Sequence, residues 1–374
     1  MKKFVLHTVG FAIGVLLLLH VLKLTLPYYW ANEEMCDKME LFVSDQEGFD
    51  LVYFGPSAVK REFIPKVFDQ GLRKAQIRSF NFGTAGVYYA EQSYLIRHAI
   101  IDSAFTNVQY VLSFGQEPKE LMDVNFHKLR MKYCLDWANY ALHLNYFWEK
   151  KDYQQLYRYT IMFIENQLFI GEVFDMVEWH FSDFSIPIEL REKSGYVPYE
   201  WSVAQSKKSS NQRDKFLAKH EGKTYMAGSR QKPSKKKSKK PQSGLEQILI
   251  EDIGRLQSFA NSNGIKFATV FKPNMIDYNN VDSLNSICFG DGKSYQEYFE
   301  IENRWDHKHL NEKGSIVHTK NLAKLFEQEF IGKRKKSKKN TKKKKGKKSK
   351  DDKSRKRKKK SKGKTKKSKS KKAS

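Results

Sequence analysis

Residues Asp50–Ser57 read DLVYFGPS. Four apolar residues, Leu51 to Phe54, stand between an acid and a Gly-Pro pair, the signature of a short buried strand running into a tight turn. Further strand candidates stand at Ile77–Phe82, Val108–Phe114 and Lys266–Phe271. Helical patterns separate them: Glu91–Ile101, with Leu95, Ile96, Ala99 and Ile100 inward, and Leu245–Asn261, with Leu249, Ile253 and Leu256 on one face. Strands alternating with helices predict an α/β fold with a parallel sheet covered on both faces. Reactive groups in such sheets gather where strands end at the carboxyl edge. Ser57 lies just past such an end.

Far downstream, Trp305–Gly314 reads WDHKHLNEKG. Asp306 and His309 stand three residues apart before a helix start: Asn311 suits an N-cap, and Ile316, Val317, Leu322, Leu325, Phe326 and Phe330 follow as an apolar stripe. A carboxylate beside an imidazole can orient the ring and stabilise its protonated form. The chain order Ser…Asp…His adds a nucleophile and fits the logic of a catalytic triad. A metal reading of Asp306, His307 and His309 would need further ligands from His127 or His180, with no recognisable spacing. Neither a metal nor a cofactor is expected.

These residues resemble the SGNH (GDSL-type) hydrolase superfamily, in particular its single-span, extracytoplasmic branch. That branch includes proteins similar to the alginate O-acetylation and D-alanyl-lipoteichoic acid accessory proteins. The similarity runs from about Asp50 to Phe330. Gly55-Pro56-Ser57 matches the nucleophile block. Asn81-Phe82-Gly83-Thr84-Ala85-Gly86 resembles the second block, whose last glycine lends a backbone N–H to the oxyanion hole. Asp306 and His309 match the final Asp-x-x-His block, and the sequence from there through Gly314 resembles the segment next to that block in the anchored branch. The resemblance implies a flavodoxin-like, three-layer parallel sheet, a Ser57–His309–Asp306 triad and an oxyanion hole containing the N–H groups of Ser57 and Gly86. The third block departs from the family, which places an Asn after the third strand. Here the loop reads Gly115-Gln116-Glu117-Pro118, and Gln116 is the side-chain donor available instead.

The net charge of +27 invites a nucleic-acid reading, but its placement argues otherwise. Residues 333–374 hold 27 Lys and Arg against two Asp, which leaves 42 basic and 40 acidic residues elsewhere. The body is nearly neutral, and the tail is a low-complexity Lys/Ser/Gly run predicted to be disordered. It lacks the interleaved aromatics of a nucleic-acid binder. Anionic envelope polymer or lipid headgroups suit it better as counter-ions. Cys36, Cys134 and Cys288 show no metal-ligand spacing, and three cysteines make no disulfide framework.

Residues 1–30 predict a membrane anchor. Lys2 and Lys3 precede an apolar run from Phe4 to Leu26; Tyr28, Tyr29 and Trp30 follow as an aromatic belt, with Glu33 and Glu34 beyond. Twenty-odd helical residues suffice to cross a bilayer, and leading lysines place the N-terminus inside and the body outside. The alternative is a cleaved signal peptide, but no small-x-small site follows the run. The α/β domain is expected over 45–330. Within it, residues 119–201 form an aromatic-rich helical insertion, either a subdomain burying its own rings or a cap for sugar rings or a membrane partner. Residues 202–244 are polar and predict a mobile loop.

Two functions are implied by the resemblance. One is an acyl transferase or esterase acting on an ester-linked acyl group of a cell-envelope polysaccharide or polymer, working with a multi-span membrane O-acyltransferase. The other is a non-catalytic module of the same fold that binds polymer or a membrane partner.

Overall fold

The computed structural model describes residues 1–25, 33–72, 75–115, 134–168, 193–200, 207–220, 244–273, 284–289 and 292–332. The chain divides into two compact units, Met1–Ala323 and Lys324–Ser374, and the sheet and candidate site belong to the first.

Among the described residues, five parallel strands form one sheet: β1 (Leu51–Gly55), β2 (Ser79–Gly83), β3 (Tyr110–Phe114), β4 (Lys266–Phe271) and β5 (Ser286–Cys288), in the order β2-β1-β3-β4-β5. β1 to β3 are buried throughout; β1 reads as an unbroken apolar run, whereas Ser79 and Asn81 of β2 and Ser113 of β3 are buried polar residues held by hydrogen bonds. Ten α-helices are seen among the described residues: α1 (Lys2–Thr25), α2 (Glu33–Ser44), α3 (Ser57–Glu62), α4 (Pro65–Gly71), α5 (Tyr89–Ile101), α6 (Trp137–Glu149), α7 (Tyr153–Gln167), α8 (Lys207–His220), α9 (Gly244–Ser262) and α10 (Glu312–Phe326).

The pleat sends successive side chains to opposite faces. Val52, Phe54, Phe80, Phe82, Val111 and Phe267 join one core with Met39 and Phe42 of α2, Leu95 and Ile96 of α5, and Leu249, Ile253 and Leu256 of α9. α6 and α7 add Tyr146, Phe147, Tyr159 and Phe163 to that core. On the other face Tyr53 meets Phe63 edge-on, with ring centroids 5.2 Å apart, and Phe63 meets Phe68. The result is a mixed α/β architecture with helices on both faces of a parallel sheet.

α1 is long and apolar enough to span a membrane over Lys2–Leu22, with a mean hydropathy of 2.3. α6 and α7 form an antiparallel hairpin inside the insertion; the remaining aromatics expected between residues 169 and 192 lie outside the described residues. One expectation needs correcting. The polar stretch 202–244 is not loop throughout, because Lys207–His220 is helical. Phe216 is buried there and Arg213 reaches the Trp305 ring, contacts that composition does not reveal. All three cysteines are free thiols.

Candidate active site

β1 delivers Ser57 to the carboxyl edge of the sheet. Pro56 is extended (φ −74°, ψ −166°) and caps α3, so Ser57 is the first helical residue. Its N–H has no carbonyl of its own helix to bond. The turn is tight: a Cβ on Gly55 would lie 2.2 Å from Val59 Cγ2. β2 packs against the same helix, and a Cβ on Gly83 would stand 2.1 Å from the Lys60 backbone nitrogen. Only glycine permits that approach.

The stretch from Asn81 to Gly86 braces the helix that carries Ser57. The buried Asn81 amide donates to Val59 O at 2.9 Å and Phe63 O at 2.7 Å, while its Oδ1 accepts the Gly83 N–H at 2.8 Å. Thr84 N–H donates to Gly55 O at 2.9 Å, joining the ends of β1 and β2. Gly86 follows with φ +68°, a left-handed conformation suited to glycine. Beneath this stretch, Lys38 of α2 donates to Asn81 O and Gly83 O at 3.1 and 2.6 Å. Burial pushes the Lys38 ammonium down to about 7, partly offset by Glu34.

The third side of the site is the loop from Trp305 to Leu310. Trp305 N–H donates to His309 O at 2.9 Å. The Asp306 carboxylate accepts the N–H groups of Lys308 and His309 at 2.6 and 2.9 Å. This local turn folds the imidazole back onto its carboxylate. Asn311 then caps α10, accepting the Gly314 N–H at 3.0 Å.

Three side chains meet there. Ser57 Oγ lies 2.9 Å from His309 Nε2. His309 Nδ1 lies 3.1 and 3.2 Å from the two Asp306 oxygens. With Nδ1–H directed at Asp306, Nε2 is left to accept the serine hydroxyl proton. Burial pushes the Asp306 carboxyl up, but the imidazole and the two backbone donors outweigh it and hold the group well below the usual carboxylate range. His307 is exposed. Gln116, and the His127 and His180 of the metal reading, lie outside the described residues.

Several residues that the sequence did not single out hold this arrangement. α3 carries Ser57 at its start and Glu62 at its end. The buried Glu62 accepts the Leu310 N–H at 3.2 Å, beside His309, and pairs with Lys272. Ser315 and Thr319 of α10 cap the last carbonyls of α3, donating to Arg61 O at 3.0 Å and Glu62 O at 2.9 Å. Tyr199 stacks on Trp305 with centroids 5.1 Å apart and a 14° tilt, and its hydroxyl stands 3.3 Å from His309 Nδ1. Arg61 lies over the Tyr199 ring and donates to Val197 O and Pro198 O at 3.1 and 2.8 Å. Arg213 donates to Trp305 O at 3.1 Å. No periodicity flags these residues; they come together only in the folded chain.

The serine, imidazole and carboxylate thus stand in hydrogen-bonded order at the carboxyl end of a parallel sheet, an arrangement able to activate a hydroxyl nucleophile. Comparison of the chain with protein-family models, curated proteins and solved structures finds no match.

Proposed function

We propose that the protein is an extracytoplasmic serine acyltransferase or esterase of SGNH type, anchored by α1 and acting on an ester-linked acyl group of a cell-envelope polymer. The observation that carries this reading is the 2.9 Å approach of Ser57 Oγ to His309 Nε2, with Asp306 on the opposite ring nitrogen. The strand order supports the flavodoxin-like form of the fold, in which ligands bind at the carboxyl edge.

In the reaction, His309 Nε2 takes the Ser57 proton as Oγ attacks the acyl carbonyl carbon. The carbonyl oxygen becomes an oxyanion, held by the N–H groups of Ser57 and Gly86. As the intermediate collapses, the imidazolium returns its proton to the departing alkoxide, leaving an acyl-serine and a free alcohol. A water or an acceptor hydroxyl then repeats the sequence in reverse and frees Ser57. Asp306 keeps the tautomer and stabilises the imidazolium throughout.

A multi-span membrane O-acyltransferase is the expected source of the acyl group, and the tail from residue 333 is an electrostatic tether to anionic polymer or lipid headgroups. Removing residues 333–374 then abolishes salt-sensitive polymer binding; unchanged binding at low salt defeats the tether. For the chemistry, detergent-solubilised protein is treated with a fluorophosphonate probe and assayed on p-nitrophenyl acetate. The reading expects covalent labelling and ester cleavage, both lost in Ser57→Ala with thermal stability retained. Absence of both in the parent protein leaves the non-catalytic binding module as the better account.

A further inference from the structure

α7 is apolar on two sides. One side packs inward through Tyr159 and Phe163. The other carries Tyr153, Tyr157, Ile161, Ile164 and Leu168, all solvent-facing, with Tyr157 67% and Ile164 47% exposed. Spaced four, four, three and four residues apart, they fall within an arc of about 80° at 3.6 residues per turn. Single exposed apolar residues are ordinary in soluble proteins, but an aligned stripe along a whole helix marks a contact surface.

The stripe does not end in water. Gln167 and Leu168, at the end of α7, line an apolar cleft together with Ile13, Leu16, Leu17 and His20 of α1. The α1 residues of the cleft, Ile13 to His20, lie between nine and two residues inside the Leu22 end of the apolar span, a depth of about 3 to 13 Å in a hydrocarbon core of about 30 Å. Whatever touches α1 at that level meets acyl chains as well. The chemistry of the stripe matches that geometry. Ile161, Ile164 and Leu168 occupy the end nearest α1. Tyr153, Tyr157 and the exposed Trp148 occupy the far end, beside the exposed Lys150 and Lys151. Aliphatic residues at depth, aromatics at the boundary and lysines beyond are the order in which a bilayer is crossed outward.

We propose that α7 is an interfacial helix seated in the bilayer beside α1, with the stripe from Tyr153 to Leu168 facing lipid. This rests on the reading of α1 as a retained membrane span. The body is then held to the membrane along two lines of contact, which fixes its orientation in a way that one spanning helix does not.

The test uses the full chain in phosphatidylcholine vesicles, in a Cys288→Ser background that leaves only the buried Cys36 and Cys134. An NBD fluorophore is placed by Ile164→Cys, by Ile161→Cys as a second stripe position, by Gln154→Cys on the polar edge and by Leu17→Cys in the anchor. Lipids bearing doxyl groups on their acyl chains should quench the probes at 161, 164 and 17, and spare the probe at 154. Quenching at 17 with 161 and 164 behaving like 154 overturns the proposal and leaves the anchor standing. Loss of quenching at 17 as well overturns both. Probes at 161 and 164 shielded from doxyl lipid and from aqueous iodide alike would mean that a protein surface covers the stripe, which also overturns it.

Discussion

The Tyr199 hydroxyl stands 3.3 Å from His309 Nδ1, the nitrogen that also faces Asp306 at 3.1 Å. One Nδ1 proton cannot serve two acceptors equally, and the charged carboxylate is the stronger partner. The weight of Tyr199 therefore lies in its ring, stacked on Trp305 and covered by Arg61. Tyr199→Phe should keep kcat within about threefold, whereas Tyr199→Ala should lower it about ten- to a hundredfold by loosening the imidazole, in line with the cost of a small misplacement. Steady-state kinetics on p-nitrophenyl acetate check this. A loss in Tyr199→Phe as large as in Tyr199→Ala would give the hydroxyl the leading role.

Asp306→Asn makes a sharper test of the proposed triad. The amide oxygen can still accept the Lys308 and His309 N–H groups, so the turn survives. Its NH2 cannot accept from Nδ1–H, and the ring is driven towards the wrong tautomer. Ester cleavage should fall about 10⁴-fold, the loss seen when a triad carboxylate is neutralised. An activity within tenfold of the parent would mean that Asp306 does not orient His309.

The parts of this molecule that were legible in the sequence share a physical cause. β1 and β4 are central, buried strands: β1 is an unbroken apolar run that stops at Gly-Pro, and β4 is apolar but for Thr269 after its leading lysine and stops at Lys-Pro. α10 announces itself through Asn311, because capping is a local interaction. β5, at three residues, is too short to leave a pattern. Tyr199, Glu62 and Lys272 stayed hidden because their roles are set by partners distant in the chain; Tyr199 and His309 are 110 residues apart. The aromatic-rich composition around α7 was visible, but not the stripe, since periodicity alone does not tell which of two apolar faces turns inward.

Glu62 links both ends of the site, since it belongs to the helix of Ser57 and accepts the N–H beside His309. It also pairs with Lys272, whose ammonium burial pushes down and Glu62 pulls back up. Removing one member of a buried pair strands the other charge, at a cost of about 3–5 kcal/mol. Glu62→Gln retains an acceptor for Leu310 but not the charge, and should destabilise the fold by roughly that amount. The double variant Glu62→Gln/Lys272→Met should recover much of the loss, giving a coupling of about 2 kcal/mol or more in a double-mutant cycle by chemical denaturation. Additive effects would show that the two charges are independently solvated.

The hairpin of α6 and α7 should make the protein sensitive to acid through His143. The ring is fully buried, stacks on Tyr159 at 4.1 Å and meets Asn139 O at 2.5 Å. Burial pushes its pKa from about 6.5 down to about 4, against weaker upward pulls from Asn139 O and Asp136. Between those two values the unfolded chain binds a proton here that the folded chain refuses. Stability therefore falls as pH drops through that window and levels off beneath it, by on the order of 3 kcal/mol in total. Asp69, raised by burial to about 6, works in the opposite sense, losing stability as pH rises from its ordinary value towards 6. Comparing the parent with His143→Phe cancels that second contribution. Phe has a similar shape and leaves no buried ring nitrogen to protonate, so the variant should match the parent within about 1 kcal/mol near neutrality. At pH 4 it should be the more stable of the two, with the gap opening below about pH 6.5 in urea unfolding curves. Parallel pH profiles for the two proteins would show that His143 takes up its proton without unfolding the hairpin.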